Sequence, residues 1–266
     1  MDSTGPVIDT TVPHPARRYN YWLGGKDHFP ADRESGDEFA RRFPGVRVGA
    51  RANRAMLQRV VRFLAEERGV RQFLDIGTGL PTADNTHEVA QRITPNARVV
   101  YVDNDPLVMT HARALLTSTP QGRTAYLEAD LRDPDRILAE AAETLDFARP
   151  VAVMLVAVLH FVPGEGAAAP LVRRLADALS PGGYVTVTHA TLDFSPPEHV
   201  AAHAQMHAAG RSDVWPRELD EFADLFDGLA LEDPGIVPVT EWRPDTTDPL
   251  PDRRDVGMWG AVARKP

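Results

Sequence analysis

None of the 266 residues is a cysteine, which excludes disulfides, thiolate catalysis, iron–sulfur clusters and cysteine-bound zinc together. Any chemistry must use oxygen, nitrogen or a borrowed cofactor. Long hydrophobic runs are missing as well: the longest, Val151 to Val162, is 12 residues and contains His160. A bilayer crossing needs roughly 20 apolar residues, so no membrane span is expected. The N-terminus carries Asp2 and Asp9 and lacks the apolar core of a secretory signal, which points to the cytoplasm. Lysine is scarce, with Lys26 and Lys265 beside 27 arginines, and the acids prevail to give a net charge of −9. That balance argues against a nucleic-acid partner, because counterion release from phosphates needs concentrated cationic side chains. What remains is a globular composition, 43% hydrophobic and 25% charged, sufficient for one substantial core.

The first 70 residues hold little continuous apolar sequence and several turn signals, and are expected to form a helical cap that does not fold independently (1–70). Within them Val48, Ala52, Met56, Val60 and Leu64 recur every four residues, one face of an amphipathic helix that ends near Gly69 and packs on a sheet. The remainder (71–266) changes rhythm. Apolar runs at 72–76, 98–103, 124–128, 150–155 and 183–188 alternate with helical stretches near 84–94, 106–117, 134–145 and 168–179. This is the pattern of an α/β fold with a parallel, doubly wound sheet. Two last strand candidates, 236–242 and 257–264, are joined without a crossover helix, so they predict a reversed C-terminal hairpin. Between them the proline-rich segment reads as a loop, and 216–226 as a helix.

Chemistry centres on Phe73-Leu74-Asp75-Ile76-Gly77-Thr78-Gly79, an apolar strand that ends in an acid and breaks into glycines. Such a loop lets backbone approach a ligand at the carboxyl edge of the sheet, although a tight strand-to-helix turn alone would also explain the glycines. Twenty-eight positions later a second strand ends at Asp103, followed by Asn104-Asp105-Pro106. A carboxylate there can accept two hydrogen bonds from a ribose diol; its alternative role, capping the next helix, suits Asp105 before Pro106 better. Asp130 closes the third strand, where it can take a proton from an adenine amino group while Leu131 covers the ring; a cap or surface acid is the alternative. Thr82 occupies the third-glycine position of a dinucleotide fingerprint, so pyrophosphate is poorly served. An acid-lined pocket instead favours adenosine bearing a cationic sulfur.

In order and spacing, Asp75-Ile76-Gly77-Thr78-Gly79, Tyr101-Val102-Asp103-Asn104-Asp105-Pro106, Ala129-Asp130-Leu131 and Leu179-Ser180-Pro181-Gly182-Gly183 resemble the successive motifs of class I S-adenosylmethionine-dependent methyltransferases. More narrowly, the stretch Arg18 to Phe29, Arg51-Ala52-Asn53-Arg54 and Glu241-Trp242-Arg243-Pro244 resemble a bacterial S-adenosyl methyltransferase family long catalogued as a domain of unknown function. The resemblance implies a Rossmann-like sheet of seven strands with a reversed final hairpin, and S-adenosyl-L-methionine as cofactor. It implies a cofactor site at Asp75, Gly77, Gly79, Asp103, Asn104, Asp130 and Leu131, with Asn53 facing it from the cap. It implies no acceptor. Pro81 departs from the further glycine of many class I enzymes, which leaves the methionine moiety to other groups.

Lys26, in a loop with paired glycines, could meet the methionine carboxylate, with Tyr19, Tyr21 and Trp22 as an apolar underside; a plain surface turn is the competing reading. Methyl transfer from a sulfonium needs mainly alignment, and no metal. If the acceptor is a hydroxyl, His160 after the fourth strand is the candidate general base, or else a residue that packs or positions; His189, Asp193 and His28 are weaker candidates. His199, His203 and His207 share a helical stripe, which reads as a solvated or substrate-facing helix rather than a metal site. Trp215, Trp242 and Trp259 are assigned to packing. The leading expectation is a methyltransferase acting on a small molecule, with a non-catalytic S-adenosylmethionine sensor and a nicotinamide oxidoreductase as alternatives.

Overall fold

The computed structural model describes residues 8–266; the acidic start at Asp2 lies outside them. Three helices come first: α1 (Pro15–Trp22), α2 (Pro30–Arg42) and α3 (Val46–Glu66). Proline at the first turn fixes the start of α1 and α2, where its missing N–H is no loss. Asp32 joins the two starts, accepting the backbone N–H of Phe29 at 2.7 Å and of His14 at 2.9 Å. Alternation follows: β1 (Gln72–Ile76), α4 (Thr86–Ile93), β2 (Arg98–Asp103), α5 (Pro106–Leu115), β3 (Arg123–Glu128), α6 (Pro134–Ala141), β4 (Ala152–Val156), α7 (Ala169–Asp177) and β5 (Tyr184–Ala190). The C-terminal part adds α8 (Pro197–Ala208), α9 (Leu219–Ala223), β6 (Ala230–Leu231), β7 (Val237–Pro238), α10 (Arg253–Val256) and β8 (Met258–Arg264).

The strands form one sheet in the order β3-β2-β1-β4-β5-β8-β6, with β7 also on β8. The first five are parallel, while β8 runs antiparallel to β5. Side chains alternate between two cores. Leu74, Ile76, Val100 and Val102 join the cluster with Ile137 and Val172, whereas Phe73, Val99 and Tyr101 join Met56, Val60 and Leu64 of α3. Burial on both faces explains why these strands read as continuous apolar runs. Among the described residues no helix is long and apolar enough to cross a membrane.

Three expectations change at the C-terminus. The sheet has eight strands rather than seven, because the reversed edge is split: β6 and β7 both pair with β8, and a turn closed by Gly235 N–H to Glu232 O at 2.8 Å separates them. The strand expected over 236–242 shrinks to Val237–Pro238, since proline has no N–H to donate and Glu241 N–H turns back to Pro238 O at 2.8 Å. Freed carbonyls of Val239 and Trp242 are taken instead by the buried Arg59 of α3, at 2.7 and 2.9 Å. The proline-rich loop also contains the short α10, capped by Asp252 and ended by Gly257.

Candidate functional site

Parallel register sets the ends of the strands on one edge. Ile76 pairs with Val102, so the loop after β1 begins opposite Asp103. The N–H groups of Gly77 and Thr78 both donate to Val102 O, at 2.8 and 3.1 Å, and Gly79 N–H donates to Asp103 Oδ2 at 2.9 Å. Gly77 is left-handed (φ 73°), and a Cβ there would overlap the side chain of Val158. Gly79 is also left-handed (φ 68°) but faces open space, which leaves its backbone accessible. Gly77→Ala combines steric overlap with backbone strain and is expected to lower stability by about 2–4 kcal/mol. Thermal unfolding measures this; a melting temperature equal to wild type would refute the close approach.

A cavity of about 570 Å³ opens over this edge. Asp75, Gly77, Gly79, Asp103, Asn104, Asp130, Leu131, Asn53 and His160 all line it. Lys26 does not: it is exposed, in a turn where Gly25 N–H returns to Asn20 O at 2.9 Å. Arginines on the wall are Arg18, Arg54, Arg132 and Arg254; of these the cap supplies Arg18 and Arg54, each with a buried Nε that has no partner among the described residues. Asn53 is 1% exposed; its Nδ2 donates to the Tyr19 hydroxyl at 2.9 Å, and its Oδ1 is buried without a partner among the described residues.

The three acids differ. Burial pushes the Asp75 carboxyl up to about 6, against a 2.6 Å hydrogen bond from the Thr86 hydroxyl that favours the anion. Asp103 is raised by burial too, opposed by the N–H groups of Asp105 and Gly79. For Asp130 burial again acts upward, but the backbone and guanidinium of Arg132, at 2.9 and 3.0 Å, together hold it below the ordinary carboxylate range. Asp105 caps α5 through Leu107 N–H at 3.0 Å and also holds Arg17 in a buried two-pronged ion pair at 2.8 and 2.9 Å.

The other end of the cavity lies over β4, β5 and the start of β8. Arg18 of α1 grips both oxygens of Asp213 at 2.6 Å, and Arg211 binds Glu38 of α2 at 2.8 Å. Phe43 packs edge-on against His199 and His203, centroids 5.6 and 6.4 Å apart, so α8 roofs this end against α2. The histidine stripe therefore divides. His199 and His203 line the cavity, and His207 packs on Trp215. Among the described residues no group of three or more histidines or acids is placed to hold a metal.

His160 is 7% exposed, and burial followed by the charges of Arg217 and Arg18 pushes it down to about 3. A ring so disposed is neutral at pH 7 and a poor proton acceptor. His189 lies behind it rather than on the cavity wall, and Asp193 binds the indole N–H of Trp259 at 2.7 Å. His28 is also off the wall, 3.1 Å from Gly25 O. Of the proposed underside, Tyr19 and Trp22 reach the cavity and Tyr21 does not. Trp242 and Trp259 are buried.

Sequence reasoning missed Arg217. It is 1% exposed and holds Leu159 O, Val162 O, Gly164 O, Glu221 and His189 Nε2 at 2.8–3.2 Å. No local pattern marks it, because its partners lie up to 58 residues away.

The sheet order and the carboxyl-edge cavity are those of a Rossmann-like class I methyltransferase. The chain belongs to the S-adenosyl methyltransferase family, which it matches over residues 1–266. Its activity is thus S-adenosylmethionine-dependent methyl transfer, not nicotinamide chemistry. It is similar to a DUF574 family protein from Streptomyces avermitilis, 48% identical, covering 98% of this chain and 100% of that one, with a TM-score of 0.92. A candidate methyltransferase from Thermobifida fusca is 39% identical over 100% of this chain and 99% of its own, with a TM-score of 0.88. An O-methyltransferase family protein from Burkholderia thailandensis shares the fold alone, at 17% identity and a TM-score of 0.52 over 86% of this chain and 62% of that one. No curated protein matches the sequence.

Proposed function

We propose that the cavity holds S-adenosylmethionine over β1, β2 and β3 and a small-molecule acceptor over β4, β5 and β8. The observation that carries this reading is the convergence of three strand-end acids on one cavity. Bound S-adenosylmethionine supplies a methyl group already activated by positive sulfur, so the protein's main task is alignment. Each Asp103 oxygen accepts one N–H and keeps a lone pair for a ribose hydroxyl. Asp130 and Asn104 face the adenine edge, and Leu131, 7% exposed, faces the ring. Asn53 Oδ1, an acceptor without a partner among the described residues, suits the methionine ammonium, while Arg54 takes the carboxylate role that Lys26 was expected to fill. The acceptor end is walled by Phe43, Phe161 and Trp22, which suits a compact apolar molecule better than a polymer.

Calorimetry with S-adenosylhomocysteine tests the site. Wild type binds, NAD does not, and Asp103→Ala weakens binding by about 10–100-fold, the loss of hydrogen bonds to a charged acceptor. Because Asp103 also holds the backbone N–H groups of Gly79 and Asp105, Asp130→Ala serves as a second variant, whose carboxylate is held by Arg132 and the Asn104 side chain, and its affinity falls less. At a hundredfold its Kd the ligand adds about 2.7 kcal/mol to folding stability. Absence of both heat and thermal stabilisation in wild type ends the proposal.

A further inference from the structure

The two ring nitrogens of His160 are not equivalent. Nδ1 faces the N–H of Ala190 at 3.4 Å and so acts as an acceptor, which leaves the ring proton on Nε2. Nε2 has no protein partner among the described residues, and the residue lines the cavity while being 7% exposed. The ring is fixed by Phe161, centroids 4.4 Å apart, and by His189 at 5.5 Å and 90°. Behind it, His189 Nε2 accepts from Arg217 at 2.9 Å and its Nδ1–H points to Ala190 O at 2.8 Å. Ala190 O also takes the backbone N–H of Arg217 at 3.1 Å, so the backbone of one residue, Ala190, orients both imidazoles. The charged groups around His160 are Arg217 behind it and Arg18 of α1, whose partner Asp213 is occupied by that pair.

We propose that the methyl acceptor is a phenolic or enolic compound that binds as its oxyanion, its oxygen accepting a hydrogen bond from the Nε2–H of His160. This rests on the function proposed above and specifies its acceptor. An oxyanion has lone pairs for the imidazole donor and for the methyl group at once. An amine nitrogen has one lone pair, and its ammonium form would have to sit near two guanidinium groups. Held neutral by burial and those charges, His160 does not take the acceptor's proton, which leaves to solvent on binding. In the transfer the oxygen–methyl bond forms as the carbon–sulfur bond breaks and its electron pair stays on sulfur, giving a methyl ether and uncharged S-adenosylhomocysteine. The aromatic walls of Phe43, Phe161 and Trp22 fit a ring-bearing acceptor.

The test uses the full chain saturated with S-adenosylhomocysteine and 4-nitrophenol as probe, titrated one pH unit below the phenol's solution pKa while the oxyanion absorbance is followed. The expected result is that at least half of the bound probe is ionised, against about a tenth of the free probe, its apparent pKa being lowered by about one unit or more, equivalent to a tenfold preference for the anion. His160→Leu abolishes the shift. His160→Gln, which offers an amide N–H but no basic nitrogen, retains most of it and retains more methyl transfer to the probe than His160→Leu. Binding as the neutral phenol, absence of binding at millimolar probe, tighter binding of benzylamine, or His160→Gln behaving as His160→Leu overturns the inference. Calorimetry with S-adenosylhomocysteine alone separates the two proposals: failure there in wild type counts against the cofactor site, while normal binding with a neutral probe counts against the acceptor only.

Discussion

Replacing Arg217 by methionine is expected to lower stability by about 3–5 kcal/mol, because the substitution leaves buried acceptors unpaired while roughly conserving volume. For a chain of this size that corresponds to roughly 10 °C in melting temperature. The guanidinium serves Leu159 O, Val162 O and Gly164 O, the carbonyls of the loop after β4, together with His189 and Glu221. Loss of the cation removes the hydrogen bonds that shape this loop and the donor that fixes the His189 tautomer, so the variant should also lose the ordered position of His160. Arg173→Met is the matched control, an exposed partner of Asp227 at 3.4 Å, with an expected effect under about 1 kcal/mol. Differential scanning calorimetry of both variants decides the matter. If Arg217→Met melts within a few degrees of the control, the network is not what holds the post-β4 loop.

Arg217 also shows where the sequence stops being legible. Four of the parallel strands, β1, β2, β4 and β5, are readable because both faces are buried, so Leu74 and Phe73 are equally apolar although they enter different cores, whereas β3 is a half-buried edge strand. The reversed edge is not, because where β7 ends is tied to the carbonyls of Val239 and Trp242 that Arg59 takes, 180 and 183 residues away in the chain. The same division runs through the site. Asp75, Asp103 and Asp130 stand at strand ends, and strand ends are local facts. On the cap side, a scarce lysine beside paired glycines drew attention to Lys26, whereas the cations lining the cavity are Arg18 and Arg54. Arg18 meets Asp213 across 195 residues, a contact fixed by the docking of α1 on the finished domain and carried by no spacing rule.

Asp75→Asn is expected to stabilise the ligand-free protein at pH 8 while leaving it nearly unchanged at pH 4. In the native state burial raises Asp75 from its ordinary 3.8 to about 6, outweighing the Thr86 hydrogen bond. Between those values the folded chain holds a proton that the unfolded chain has released, so stability falls as pH rises through this window and levels off above it. The full loss is about 3 kcal/mol at 1.36 kcal/mol per pKa unit. Asparagine keeps an oxygen to accept from Thr86 but has no proton to lose, so it escapes that loss. Asp103 is raised in the same direction, yet it titrates in both proteins and largely cancels from their difference. Melting temperatures of the pair from pH 4 to pH 8 should therefore diverge with increasing pH, the variant on top. A positive ligand reverses the ranking, since it favours the ionised carboxylate: S-adenosylmethionine should bind wild type more tightly as pH rises from 5 to 7 and show a shallower slope with the variant. A gap between the two melting curves that stays constant with pH would mean that Asp75 is ionised throughout, stabilised by groups other than Thr86.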